Sequence, residues 1–139
     1  MCALAAGVWA VSLVVRDVSI VDSFWSLFFL LGALVYALGS DATGARAALL
    51  LVLVSLWAVR LAVYITWRNH GTGEDARYVA MRERNGDRFA VSSLWRVFLL
   101  QAVLAWFISQ PLLAGVIATA PLNALDLAGA LLCLVGVFF

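Results

Sequence analysis

Apolar runs alternate with short polar breaks along this chain, and one polar segment is far longer than the rest. The first run, Ala3 to Val15, predicts a helix of about 20 Å, short of the roughly 30 Å hydrocarbon core of a bilayer. Arg16 and Asp17 mark a turn at the water. Val18 to Leu38 predicts a second helix, long enough to span, with Asp22 in its first turns and Trp25 just beyond. The stretch GSDATGAR, Gly39 to Arg46, is rich in breakers and reads as a short loop. Ala47 to Trp67 predicts a third helix, with Arg60 two turns inside its end. A polar segment follows, and Glu74 to Arg84 within it predicts a short interfacial helix. A fourth helix is expected from near Ser92 and Ser93, a candidate N-cap pair, to about Ser109, with a kink at Pro111. A fifth is expected from Pro121, where proline suits a first turn, to Phe139.

Composition turns this pattern into a class. Of 139 residues, 65% are hydrophobic and 12% charged, about half the charge of a soluble domain. The mean hydropathy is +1.05. Such a chain cannot clothe a soluble core, so the predicted fold is all-α: a polytopic membrane helical bundle of about five transmembrane helices with one polar cytoplasmic segment. The N-terminus lacks the basic region and cleavage site of a signal peptide. Residues 1–139 read as a single transmembrane helical domain. Because the last apolar run has no closing polar residue, it is expected to be the N-terminal part of a longer domain.

Charge placement sets the expected orientation. The segment Tyr64 to Arg96 holds six of the nine arginines, half of the eight acids and the only histidine, His70. By the positive-inside rule, residues 68–90 face the cytoplasm. The all-arginine basic set, with no lysine, suits a high-GC bacterial genome, hence an inner membrane. A net charge of +1 leaves no nucleic-acid footprint. Cys2 and Cys133 lie apart in apolar surroundings, and no Cys/His cluster has metal-ligand spacing, so no metal site is expected.

The candidate chemistry sits where the polar segment meets the membrane. A charge at membrane depth is costly and tends to pair. Asp22 and Arg60 fall at similar depth, which predicts a contact between them. The alternative is that Asp22 caps its helix while Arg60 snorkels to the headgroups. Trp57, Arg60, Tyr64 and Trp67 recur at three- and four-residue steps on one helix face. They line either a cavity open to the cytoplasm or an interfacial aromatic belt. In GTGEDARY, Glu74, Asp75, Arg77 and Tyr78 offer an arginine fork for phosphate and carboxylates for ribose hydroxyls. The alternative is a solvated loop. Arg77, Arg82, Arg84 and Arg88 interleave with Glu83 and Asp87, as in a salt-bridged surface helix. Gln101 is expected to hydrogen-bond across helices. Asn123 and Asp126 read as caps of helix five.

Four stretches carry a family resemblance: RDVSIVDSFW (Arg16 to Trp25), WAVRLAVYITWR (Trp57 to Arg68), GEDARYVAMR (Gly73 to Arg82) and SLWRVFLLQ (Ser93 to Gln101). Together they resemble a bacterial branch of the steroid 5-alpha-reductase-like membrane proteins. The resemblance implies a membrane oxidoreductase that uses NADPH to reduce a conjugated C=C bond in an apolar lipid, steroid or isoprenoid-like substrate. Arg60, Glu74, Asp75, Arg77 and Tyr78 are then the expected cofactor contacts. Asp22, Trp25, Tyr64 and Gln101 are expected to meet substrate or to form a structural ion pair. The glutamate and tyrosine that polarise the carbonyl in the better-known branch have no match here, so no catalytic residue is assigned; Asp22, Tyr36 and Tyr64 are candidates. The family's Arg-x-x-x-x-His-Pro-Asn-Tyr type signature is also absent, and its bearer would be a missing C-terminal half. Two other classes fit the same residues. One is a non-catalytic membrane protein or subunit that binds lipid or a partner through residues 68–90. The other is a related membrane methyltransferase.

Overall fold

The computed structural model describes residues 1–40 and 44–139. Among them there are helices and turns and no strand. Three helices are long and apolar enough to cross a membrane: Ile20–Gly39, Ala45–Asn69 and the composite Ala76–Ile108. Two shorter apolar helices, Cys2–Val15 and Ala124–Phe138, complete the bundle. This is the helical membrane architecture that the hydrophobic pattern predicts. Large apolar side chains cover its outside, among them Val14, Leu38 and Leu132, each more than two-thirds exposed.

Helix α1 (Cys2–Val15) ends where Arg16 turns left-handed, with φ 59°. The N–H groups of Arg16 and Asp17 both fall back on the Ser12 carbonyl, which closes the last turn. Helix α2 (Ile20–Gly39) starts two residues later than expected, because Val18 and Ser19 are drawn into the turn. Helix α3 (Ala45–Asn69) is longer than expected by two residues at each end. The loop expected over Gly39 to Arg46 includes positions 41–43, which lie outside the described residues.

The polar segment is more helical than its glycines imply. Helix α4 (Ala76–Asn85) is capped by the Asp75 carboxylate, which accepts from the Arg77 N–H. A 3₁₀ turn (Gly86–Arg88) then leads into α5 (Phe89–Ser93), a π-type stretch (Leu94–Leu99) and α6 (Leu100–Ile108). Ser92 and Ser93 therefore do not cap anything. They sit within a rod that already started, and the Ser93 hydroxyl donates to the Ala90 carbonyl at 2.9 Å. The break near Pro111 occurs as expected: α6 stops before Ser109, and α7 (Gln110–Val116) carries Pro111 in its first turn. Helix α8 (Ala124–Phe138) starts three residues after Pro121. Asn123 is its cap, in a reciprocal capping box with Asp126.

Packing follows from small and aromatic residues. Helix α2 runs along α3, α1 lies on the π-type stretch and α6, and α8 touches α3. Phe28, Val21, Ala58, Phe98 and Ala102 are buried at these seams. Trp25, Phe29 and Trp57 stack edge to face, with centroids 5.0 and 5.6 Å apart. The buried Ser26 hydroxyl donates to the Ala58 carbonyl at 2.9 Å, tying α2 to α3. Trp9 Nε1 donates to the Ala90 carbonyl at 2.9 Å, tying α1 to α5.

Replacing Ser26 with alanine removes a hydroxyl without leaving a hole. We expect a loss of about 0.6–1 kcal/mol, the range for interhelical hydrogen bonds in membranes, read as a lower unfolding midpoint in mixed micelles. An unchanged midpoint would show that the α2–α3 seam rests on packing alone.

Candidate functional site

The turn after α1 and the loop before α4 meet at one end of the bundle and satisfy each other's polar groups. Glu74 is the hub, its side chain only 11% exposed. Its Oε1 accepts from the Val18 N–H at 2.9 Å and from Arg82 Nη2 at 2.8 Å, and its Oε2 accepts from Arg82 Nε at 3.1 Å. The Arg82 guanidinium stacks over the Phe89 ring at 4.2 Å. One residue on, the Asp75 N–H donates to Ser19 Oγ at 2.7 Å, while the Ser19 N–H donates to Asp17 Oδ1 at 2.8 Å. Two of these bonds, Val18–Glu74 and Asp75–Ser19, join residues 56 positions apart and explain why α2 starts late.

A second tier lies beside this latch. Arg77 reaches Asp75 at 3.0 Å and Asp22 at 3.1 Å. The Tyr78 hydroxyl donates to Asp22 Oδ1 at 3.2 Å, and the Tyr78 ring is buried. Asp22 is thus paired at the membrane mouth, but with Arg77 and not with Arg60. The reason is angular. Ala58 marks the buried face of α3, and a residue two positions on is turned by about 200°. Arg60 therefore points out of the bundle, where it borders a shallow hollow with Val63, Tyr64 and Trp67. Among the described residues it makes no ion pair, and Asp22, bound to Arg77 and Tyr78, makes no cap bond to α2, so neither the expected contact nor the expected cap forms. The face carrying Arg60, Tyr64 and Trp67 does not line an inward cavity; only Trp57 turns in, against Phe29.

Other expected contacts also differ. Glu83 and Asp87 are exposed and, among the described residues, form no salt bridge; Arg77 and Arg82 of α4 pair instead with Asp75 and Glu74. Gln101 is half-buried with no side-chain hydrogen bond among the described residues, because α6 turns Ala102 and Ala105 inward and leaves Gln101 at the rim. Trp25 packs on Phe29, and its buried Nε1 has no hydrogen-bond partner. Asp126 does more than cap α8: it takes a bidentate pair from Arg46 of α3, at 2.9 and 2.7 Å.

Two polar hollows of about 360 and 390 Å³ open under the loop from Asn69 to Asp75, and both include Ser19, Asn69 and Gly73. His70 borders the first and Glu74 the second. Gly71 and Gly73 hold φ near +79° and +76°, which requires glycine, and a side chain at either would meet nothing. The Arg77 side chain first, and then its backbone N–H, hold the Asp75 carboxyl below the usual carboxylate range. A depressed carboxyl contributes fully above its ordinary value of about 3.9 and loses that contribution as the pH falls through the lowered one. The Asp75–Arg77 pair is therefore closed at neutral pH.

Glu74→Ala leaves Arg82 and the Val18 N–H without their acceptor, and we expect a cost of about 1–3 kcal/mol. Arg60→Ala is expected to change the unfolding midpoint little. Equal midpoints for the two variants would overturn the assignment of Glu74 as the hub.

No curated protein and no solved structure matches the chain. A family model does, that of a protein of unknown function termed DUF1295, and it matches residues 8–139. A helical membrane bundle whose polar loops latch at one end, matched by that model over nearly its whole length, belongs to the DUF1295 family.

Proposed function

We propose that this chain serves in the membrane as an NADPH-dependent reductase of a conjugated C=C bond in a lipid, steroid or isoprenoid-like substrate. On this reading it resides in a bacterial inner membrane, with residues 68–90 in the cytoplasm. Support comes from the resemblance of its four motifs to steroid 5-alpha-reductase-like proteins. The single structural observation behind the reading is the group Tyr78–Asp22–Arg77: a buried phenol, a carboxylate and a cation at the end of an apolar bundle.

The bound nucleotide would supply hydride. The carbonyl conjugated to the reduced bond then needs a proton donor. Tyr78 Oη donates to Asp22 Oδ1, and the other oxygen of that carboxylate accepts from Arg77 Nη2. Tyr36 and Tyr64 are less suited. The Tyr36 hydroxyl is tied to Ser109 at the far end of the bundle, and Tyr64 faces outward.

The residues present fit one phosphate-bearing end of such a cofactor. The Arg77 side chain is 69% exposed and stands near the glycine loop. Glu74 does not fit a ribose hydroxyl, because Val18 and Arg82 already occupy both its oxygens. One observation favours the second reading, a non-catalytic protein that binds lipid or a partner through residues 68–90. The carboxylates of the latch are engaged, whereas Arg68, Arg84 and Arg88 are exposed and have no salt bridge among the described residues, as suits anionic headgroups.

Heat unfolding with ligand separates the two readings, since binding to the folded state raises apparent stability. Millimolar NADPH is expected to raise the midpoint of the wild type, and Arg77→Ala to abolish that rise. A flat response to NADPH together with a rise on adding phosphatidylglycerol would overturn the reductase reading in favour of the second.

A further inference from the structure

A further cavity lies at the other end of the bundle and belongs to neither tier of the latch. It measures about 530 Å³ and opens between α3, α7 and α8. That is the size and placement of small-molecule sites in helical bundles. Its walls are apolar, from Leu50, Leu53 and Trp57 of α3 to Leu112 of α7. On α8 it is bordered by Gly129, Ala130 and Cys133, small residues on one helical face. A side chain built at Gly129 would meet nothing within 4 Å, so the space is real on that side.

The mouth carries the polar groups. Arg46 and Asp126 both border the cavity, with side chains 14% and 19% exposed. Arg46 donates through Nε and Nη2 to Asp126, and through Nη2 to the Pro121 carbonyl. A guanidinium has five N–H donors, so the two on Nη1 have no protein acceptor among the described residues. From Arg46 to Trp57 the cavity follows α3 for roughly 16 Å. It is apolar along its depth and, among the described residues, short of an acceptor at its entrance.

We propose that this cavity binds a single-chain amphiphile, with its hydrocarbon tail against Trp57 and Leu53 and an anionic oxygen headgroup on Arg46 Nη1. The site stands independently of the reductase reading, because Arg46 and Asn69 are about 35 Å apart along α3. Binding there also fixes α8, which has no buried residue of its own.

Cys133 reports occupancy. The test uses the Cys2→Ser chain in phosphatidylcholine nanodiscs and follows maleimide labelling of Cys133, with hexadecanoic acid as probe and hexadecane as its headless control. Hexadecanoic acid is expected to slow labelling several-fold, and hexadecane to slow it much less. Gly129→Leu fills the cavity from an unobstructed position, so it should fold normally by its melting curve and lose the protection. In the Cys133→Ser chain, labelling of Cys2 should not respond. Labelling of Cys133 that ignores hexadecanoic acid, or protection that survives in Gly129→Leu, would overturn the site. Equal protection by hexadecane would overturn the headgroup contact with Arg46.

Discussion

The carboxylate of Glu74 holds together two loops that are distant in sequence, and the geometry of the latch follows from that. Each loop alone would leave donors unsatisfied at the end of an apolar bundle. The Val18 N–H lies in the turn before α2, where no helix supplies it with an acceptor. Arg82 would present a bare guanidinium beside Phe89. One acid with two oxygens answers both and is itself largely withdrawn from water. Buried polar networks gain from completeness, and a half-satisfied one is worse than none. The adjacent Asp75–Ser19 bond extends the same tie, so that Asp22, Arg77 and Tyr78 meet as a by-product of loop docking.

The bundle below relies on different forces. Lipid is as apolar as leucine, so helices in a membrane gain little from hydrophobic burial against one another. Close packing and a few hydrogen bonds must hold them. Here those are the Trp25–Phe29–Trp57 stack, the Ser26–Ala58 bond and the close approach of Gly115 to Leu50. At the far end the Arg46–Asp126 pair does for α8 what Glu74 does for α4, but with one ion pair instead of a network.

The helical class was legible because long apolar runs admit few other structures. The capping role of Asn123 and Asp126 was legible because a cap acts over three residues. The partners of Asp22 were not. Matching by depth picked Arg60, yet depth fixes only one coordinate, and rotation about α3 carries Arg60 to the outer face. The true partner, Arg77, lies on a helix whose placement depends on Glu74, and no local spacing announces a bond over 55 residues. Gln101 was misjudged for the same reason: a polar residue in an apolar helix tells its depth, and the neighbouring alanines tell its direction.

The π-type stretch from Leu94 to Leu99 has a consequence for how the two ends of the molecule relate. There the Leu100 N–H reaches back to the Trp95 carbonyl, five residues away, instead of four. Each surplus residue held in a wide turn rotates everything beyond it by about 100° relative to an unbroken α-helix. Beyond the Gly86 turn that ends α4, α5 and the alanine seam of α6 belong to one continuous rod, yet their azimuths are decoupled at this point. The rod works like a shaft with a fixed offset coupling, so the loop-facing half can stay aimed at α1 and α2 while the lipid-embedded half keeps its own alignment.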